Sequence, residues 1–243
     1  MLFGAEILTL AGIMSLAANP LRCTVPHAPT ITILPTTDPV RYDNSLTLSD
    51  MARMKTDTIS PYGRQVEQVM FGMHSGRVAI SAKTRVSWRS YTGPFESVGC
   101  LSYDSIEIRI NLSPVIFIAK ELPPGSCAHK TVLEHEKKHA RVDRWIANKY
   151  AQRIGQDVRA AVNEAGAMGP YPESRMKAVQ AQMVDHVRST VNSIELLMSE
   201  EQARLQQQVD SMEEYNRVSK IVHETCGIDS RSLPGKTDRS RTR

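Results

Sequence analysis

Aromatic residues make up only 5% of this 243-residue chain, and they are not interleaved with its basic residues. That argues against a nucleic-acid surface, which stacks bases on aromatic rings along a basic groove. The net charge of +4 adds little, because much of it lies in the stretch 231–243. No apolar run reaches the roughly 18 residues that read as a membrane helix. Cysteine is scarce as well: there are 4, no two closer than 27 positions, and no C-x-x-C pair. A cysteine-ligated zinc site is therefore not expected. No segment recurs at a fixed period, which removes solenoids and propellers.

What remains fits one domain with a real core, since 41% of residues are hydrophobic and 23% charged. Residues 1–18 read as an export signal. The apolar stretch from Ile7 to Ala18 has the right length, Ser15-Leu16-Ala17 is a small-x-small cleavage site, and Asn19-Pro20 follows. Met1 to Glu6 carries no Lys or Arg, so a buried N-terminal helix is the competing reading. Export places the protein in the periplasm or outside the cell, with no stable membrane span. An even cysteine count agrees, and three pairings are open. The working expectation is Cys100 with Cys127 and Cys23 with Cys226, tying sheet to helix and one end to the other. Residues 229–243, basic and without apolar periodicity, read as a disordered tail.

Between these ends lies a single unit, 19–228. Thr30-Ile31-Thr32-Ile33-Leu34 reads as a short strand, and Ser49-Asp50-Met51 as the start of a short helix. The sheet is expected over about 75–120. Val78 to Trp88 is rich in strand formers, Ser105 to Leu112 alternates strictly, and Pro114 to Ala119 is a further apolar strand. Strict alternation implies one buried face and one wet face, as in an antiparallel sheet. A helical hairpin is expected over about 126–222. Ala128, Val132, His135, His139, Val142, Ile146 and Tyr150 form one stripe at helical spacing. Gly166 to Pro172 breaks the pattern. A second helix then runs from Glu173 to Val222, with a seam of Met176, Met183, Val187, Ile194, Leu197, Leu205, Met212 and Tyr215. The fold class is α+β, a small antiparallel sheet beside a long antiparallel helical hairpin.

The first of those helices carries His135-Glu136-Lys137-Lys138-His139, an H-E-x-x-H string. Side chains four apart share a helix face, so both imidazoles can point at one metal ion. Glu136, next to the first ligand, can take a proton from an attacking water and pass it to a leaving amine. The bland alternative is a solvated turn in which Glu134 and Glu136 pair with lysines. A catalytic zinc site needs a third protein ligand. Asp143 shares the stripe but lies about 12 Å along the axis from His135, which suits an acceptor for a histidine N–H, or a solvated acid pairing with a nearby Arg, rather than a ligand. A hairpin turning at Gly169 would bring Glu201 opposite the motif, in the seam between Leu197 and Leu205. A carboxylate there needs a partner or a metal. Slippage by a turn would substitute Glu200 or Glu195. His27, His74, His129, His186 and His223 have no comparable context.

From the strand Val86-Ser87-Trp88-Arg89-Ser90-Tyr91, through the run led by Cys100, to the H-E-x-x-H helix, residues 75 to 150 resemble a bacterial family of unknown function described as predicted secreted zinc-dependent proteases. The resemblance implies that His135 and His139 bind Zn2+ and that Glu136 is the catalytic base. Members carry Tyr-Asp-x-x-Thr-x-His near the end of the second helix. Here Tyr215-Asn216-Arg217-Val218-Ser219-Lys220-Ile221 lacks that Asp and that His. The expected function is an exported zinc metallohydrolase acting on a peptide or protein substrate. The alternative is a non-catalytic envelope protein that binds a partner through its long C-terminal helix.

Overall fold

A single strand, β4 (Ser97–Ile118), is the spine of the protein. The computed structural model describes residues 21–55, 59–62, 69–92 and 96–229; the expected export signal and all but the first residue of the basic tail lie outside them. Along one edge of β4 runs β3 (Gly72–Thr92), antiparallel from Thr92 opposite Ser97 to Gly72 opposite Ile118. Along the other edge lie β5 (Met168–Pro172), β1 (Thr30–Thr37) and β2 (Arg41–Asp43) in succession. β5 is antiparallel to β4, whereas β1 and β2 are parallel to it. The sheet is thus mixed, which corrects the antiparallel sheet expected from alternation. Alternation reports which face is buried and is silent on the direction of the neighbouring strand.

The burial pattern itself follows the sequence closely. Ile106, Ile108, Ile110 and Leu112 are all at most 1% exposed, while Arg109 on the opposite face is exposed. Each such side chain contributes about 1.5–3 kcal/mol when fully buried. The segments before and after Ser113 form one strand rather than two, because Pro114 is accommodated opposite Gly76. A bulge between Arg85 and Val86 shifts the register by one residue and bends the ribbon.

The sheet packs beside α2 (Cys127–Ala165) and α3 (Glu173–Val209). Ile146, Ile154 and Val158 of α2, with Met183, Val187 and Val191 of α3, close the main core over the β4 isoleucines. Between the helices, His139 meets Gln206, Asp143 meets Gln202 and Gln206, and Tyr150 meets Leu197 and Glu201. Residue numbers rise along α2 as they fall along α3. The register differs from the one expected for a turn at Gly169. Ala165 is level with about residue 182, so roughly the first two and a half turns of α3 overshoot α2. The cause is β5: residues 168–172 are held in the sheet by β4, so the connection is no tight turn.

The second helix is also not continuous to Val222. α3 stops at Val209, and Asp210 leaves helical geometry at ψ 39°. Ser211 then caps a new helix, α4 (Met212–Lys220), accepting a hydrogen bond from the Glu214 amide, and a π-helical turn follows at Ile221–Thr225. Leu197 and Met212, expected in the seam, are 45% and 42% exposed. A short helix α1 (Leu48–Met51) is capped by Thr47 rather than Ser49.

Two disulfides are present, Cys23–Cys100 and Cys127–Cys226, not the pairs expected. The first ties the N-terminal approach to β4 next to β5. The second ties the first residue of α2 to the π-helical turn, beside a second core cluster of Ile116, Ile118, Leu122, Val132 and Val222. The two disulfides are consistent with an oxidising, extracellular or periplasmic setting. Among the described residues, no helix is long and apolar enough to cross a membrane.

Candidate metal centre

His135 and His139 lie one turn apart on α2, both turned inward and both buried. The helix break supplies the third group. Asp210, the residue at which α3 ends, follows Gln206 by one turn on the face turned toward α2, and its carboxylate lies against the two imidazoles. His135 Nε2 is 3.4 Å from His139 Nε2, and Asp210 Oδ1 is 3.3 Å from the first and 3.1 Å from the second. Ligand atoms 2.0–2.1 Å from a tetrahedral centre stand about 3.3 Å apart. The three donors, two imidazole nitrogens and a carboxylate oxygen, therefore fit one metal ion.

Glu201, the third ligand expected from the hairpin register, is elsewhere. Its carboxylate accepts hydrogen bonds from Lys149 Nζ at 2.5 Å and Tyr150 OH at 3.0 Å. The longer overshoot of α3 sets it opposite Lys149 instead of Lys137. Glu200 is exposed, and neither it nor Glu195 belongs to the cluster.

Each histidine is oriented through its other ring nitrogen. His135 Nδ1 is 3.3 Å from Glu214 Oε1. That carboxylate also takes Lys138 and Arg217, and the Arg217 guanidinium above all holds its pKa down at about 2. His139 Nδ1 donates to Gln206 Oε1 at 2.5 Å, and Gln206 Nε2 donates in turn to the His139 carbonyl and to Asp143 Oδ1. Both arrangements keep Nε2 free of a proton and aimed at the metal position. Asp143 is thus a support, as its distance from His135 along the helix implied, though it reaches His139 through Gln206 and not directly. Burial opposes charge on His135 and His139, but Asp210 and Glu136 outweigh it and raise both pKa values.

Glu136 is 4% exposed. Burial first of all, and also the Asp210 carboxylate, push its pKa to about 7 against the pull of the two histidines. A carboxyl so tuned can accept and return a proton near neutral pH. Tyr215, one turn into α4, sets its ring edge-on to His135 with centroids 6.2 Å apart. Burial, with the charges of Asp210 and Glu136, keeps its hydroxyl protonated.

His74 on β3 completes the surroundings. It stacks on His139 with centroids 6.1 Å apart, and its Nε2 is 3.4 Å from Asp143 Oδ2. Burial, then the nearby His139, lowers its pKa to about 4, so it is neutral at physiological pH. The strand comes this close because of two glycines. A Cβ on Gly72 would lie 2.6 Å from Glu136 Oε1, and one on Gly76 would lie 1.5 Å from Asp143 Oδ2. Gly76→Ala must therefore displace a fully buried carboxylate and is expected to destabilise the fold by about 1–3 kcal/mol. Urea denaturation checks this; an unchanged midpoint would mean that Asp143 is not confined as described.

Comparison of the chain with protein-family models, with curated proteins and with solved structures found no match in any of the three.

Proposed function

We propose that the protein is an exported zinc-dependent metallohydrolase that cleaves peptide bonds. The observation that carries this reading is the spacing of His135 Nε2, His139 Nε2 and Asp210 Oδ1, each pair 3.1–3.4 Å apart, with a buried Glu136 beside them. Two nitrogens and one carboxylate oxygen suit zinc, and three protein ligands leave the open position that catalytic sites keep. Zinc bound there would polarise the scissile carbonyl and make an adjacent water acidic enough to attack near neutral pH. Glu136 takes the proton from that water and returns it to the leaving amine. Tyr215 offers an O–H donor to the oxygen on which charge develops. Gln206 and Glu214 hold the two imidazoles in the tautomer that the site requires.

A peptide is favoured as substrate by β3. It pairs only with β4 among the described residues, and its first residues run beside Val132 and Glu136. An extended chain could add to its free edge and present its main chain to the site. The resemblance of residues 75–150 to predicted secreted zinc proteases points the same way. A second reading, a non-catalytic envelope protein that binds a partner through α3, draws on Leu196 and Leu197, which are 66% and 45% exposed.

Metal analysis by mass spectrometry, followed by peptidase assays, decides between them. About one zinc per chain is expected, lost in His139→Ala, with peptide cleavage that disappears in Glu136→Gln. A wild-type protein that stays metal-free after incubation with zinc would overturn the proposal; zinc without cleavage would favour the second reading.

A further inference from the structure

Beside the metal centre opens a cavity of about 310 Å³. His135 and Glu136 belong to its lining. The rest joins an apolar wall, Val69, Met70 and Phe71 ahead of β3, Val132 on α2, Val218 on α4 and Val222 in the π-helical turn, to the polar groups of Tyr62, Tyr215, Ser219 and His223. Pockets for whole small molecules span about 300–1,000 Å³. This one stands at the lower limit, room for one large side chain but not for an extended ligand. Among the described residues, Glu136 is the one carboxylate that lines it, and no lysine or arginine does. A charged side chain entering it would exchange part of its water for the apolar wall.

We infer that this cavity is the specificity pocket of the enzyme and takes a large apolar side chain, leucine, methionine or phenylalanine, from a residue flanking the scissile bond. The inference rests on the hydrolase reading, because it is continuity with His135 and Glu136 that makes the cavity part of the reacting site. It also explains the C-terminal architecture. α4 and the π-helical turn supply Tyr215, Val218 and Val222 to the pocket, and Asp210 at the head of α4 joins the metal ligands. Cys127–Cys226 fastens the far end of that segment to the start of α2. One segment thus builds both the third ligand and the pocket wall.

The test is binding by titration calorimetry to the zinc-loaded Glu136→Gln protein, which does not consume its ligand. Hexapeptides differing at one central position (Gly, Ala, Leu, Phe, Asp or Lys) are compared. Leu and Phe are expected to bind at least about tenfold more tightly than Ala, with Asp and Lys weakest. Val218→Phe, which fills the cavity, should erase the advantage of Leu over Ala while the protein still carries one zinc. The peptide series alone decides the matter if that variant does not fold. Equal affinity across the series, on a protein that holds one zinc, would overturn the pocket and leave the hydrolase reading intact. Failure to hold zinc at all would overturn both.

Discussion

Asp210→Ala is expected to lower zinc affinity by more than about a hundredfold, whereas Glu201→Ala leaves it unchanged. Loss of a residue that merely orients a metal ligand typically costs 10–100-fold, and Asp210 Oδ1 lies at ligand distance from both histidine nitrogens. Glu201 is bound to Lys149 and Tyr150 and takes no part. Competition titration with a chromogenic chelator measures both variants. The reverse result, affinity lost with Glu201 and kept with Asp210, would require a different register for α3. The pH dependence has a definite sign. Metal binding needs both imidazoles neutral, and their pKa values are raised in the metal-free protein, so affinity falls as pH drops through that raised range. Stability of the metal-free fold runs the other way. The histidines, more easily protonated when folded, contribute stability that is full at low pH and lost as pH rises through their folded pKa. Glu136, displaced from 4.5 to about 7, is destabilising once ionised, by on the order of 3 kcal/mol. His74, with its pKa lowered to about 4, works the other way and gains stability as pH rises to about 6.5. The loss of thermal stability in the metal-free protein should therefore show between about pH 6.5 and 8, and zinc should restore it most at the upper end.

That contrast shows which parts of the site were legible in the sequence. The motif histidines and Glu136 are local: four residues make one helical turn, and geometry follows from the turn. The alternating run from Ile106 to Leu112 is local in the same sense, and its buried face is as expected. The third ligand depends on two non-local facts. One is the overshoot of α3, set by β5 pairing with β4, and a cluster of glycines and prolines does not announce a strand. The other is the helix break. Here a sign was present but unused: Ser211-Met212-Glu213-Glu214 has the Ser-x-x-Glu pattern that starts a helix, so a restart at Ser211 was readable. So was the stripe. The buried face of α3 passes through Ile194 and Met198, and steps of four continue it to Gln202, Gln206 and Asp210. Polar residues at core positions of a helix mark a site. His74 carried no such sign, because its meaning comes from Gly72 and Gly76, which let the strand approach α2. Disulfide pairing was likewise decided by tertiary placement alone.

Glu136→Gln and Tyr215→Phe should separate the two chemical roles proposed beside the metal. Gln keeps the shape of Glu136 and removes its ability to carry a proton, so cleavage should fall by about 10²–10⁴-fold, with zinc content unchanged. The loss should appear in kcat rather than KM, since the proton moves only during reaction. Tyr215→Phe removes one O–H donor from a half-buried position within the field of Asp210 and Glu136 and leaves the edge-on ring against His135. A loss of about 10²–10³-fold in kcat is the expected size for one donor to a developing oxyanion. The two variants differ in their pH profiles. With Glu136 removed and zinc kept saturating, whatever cleavage persists should lose the part of its acidic limb that Glu136 sets, because that base is absent. With Tyr215 removed, the acidic limb should stay where it is and the rate be lower throughout. A Tyr215→Phe protein as active as the wild type would take that hydroxyl out of the mechanism, and a Glu136→Gln protein with undiminished kcat would take Glu136 out of it as the base.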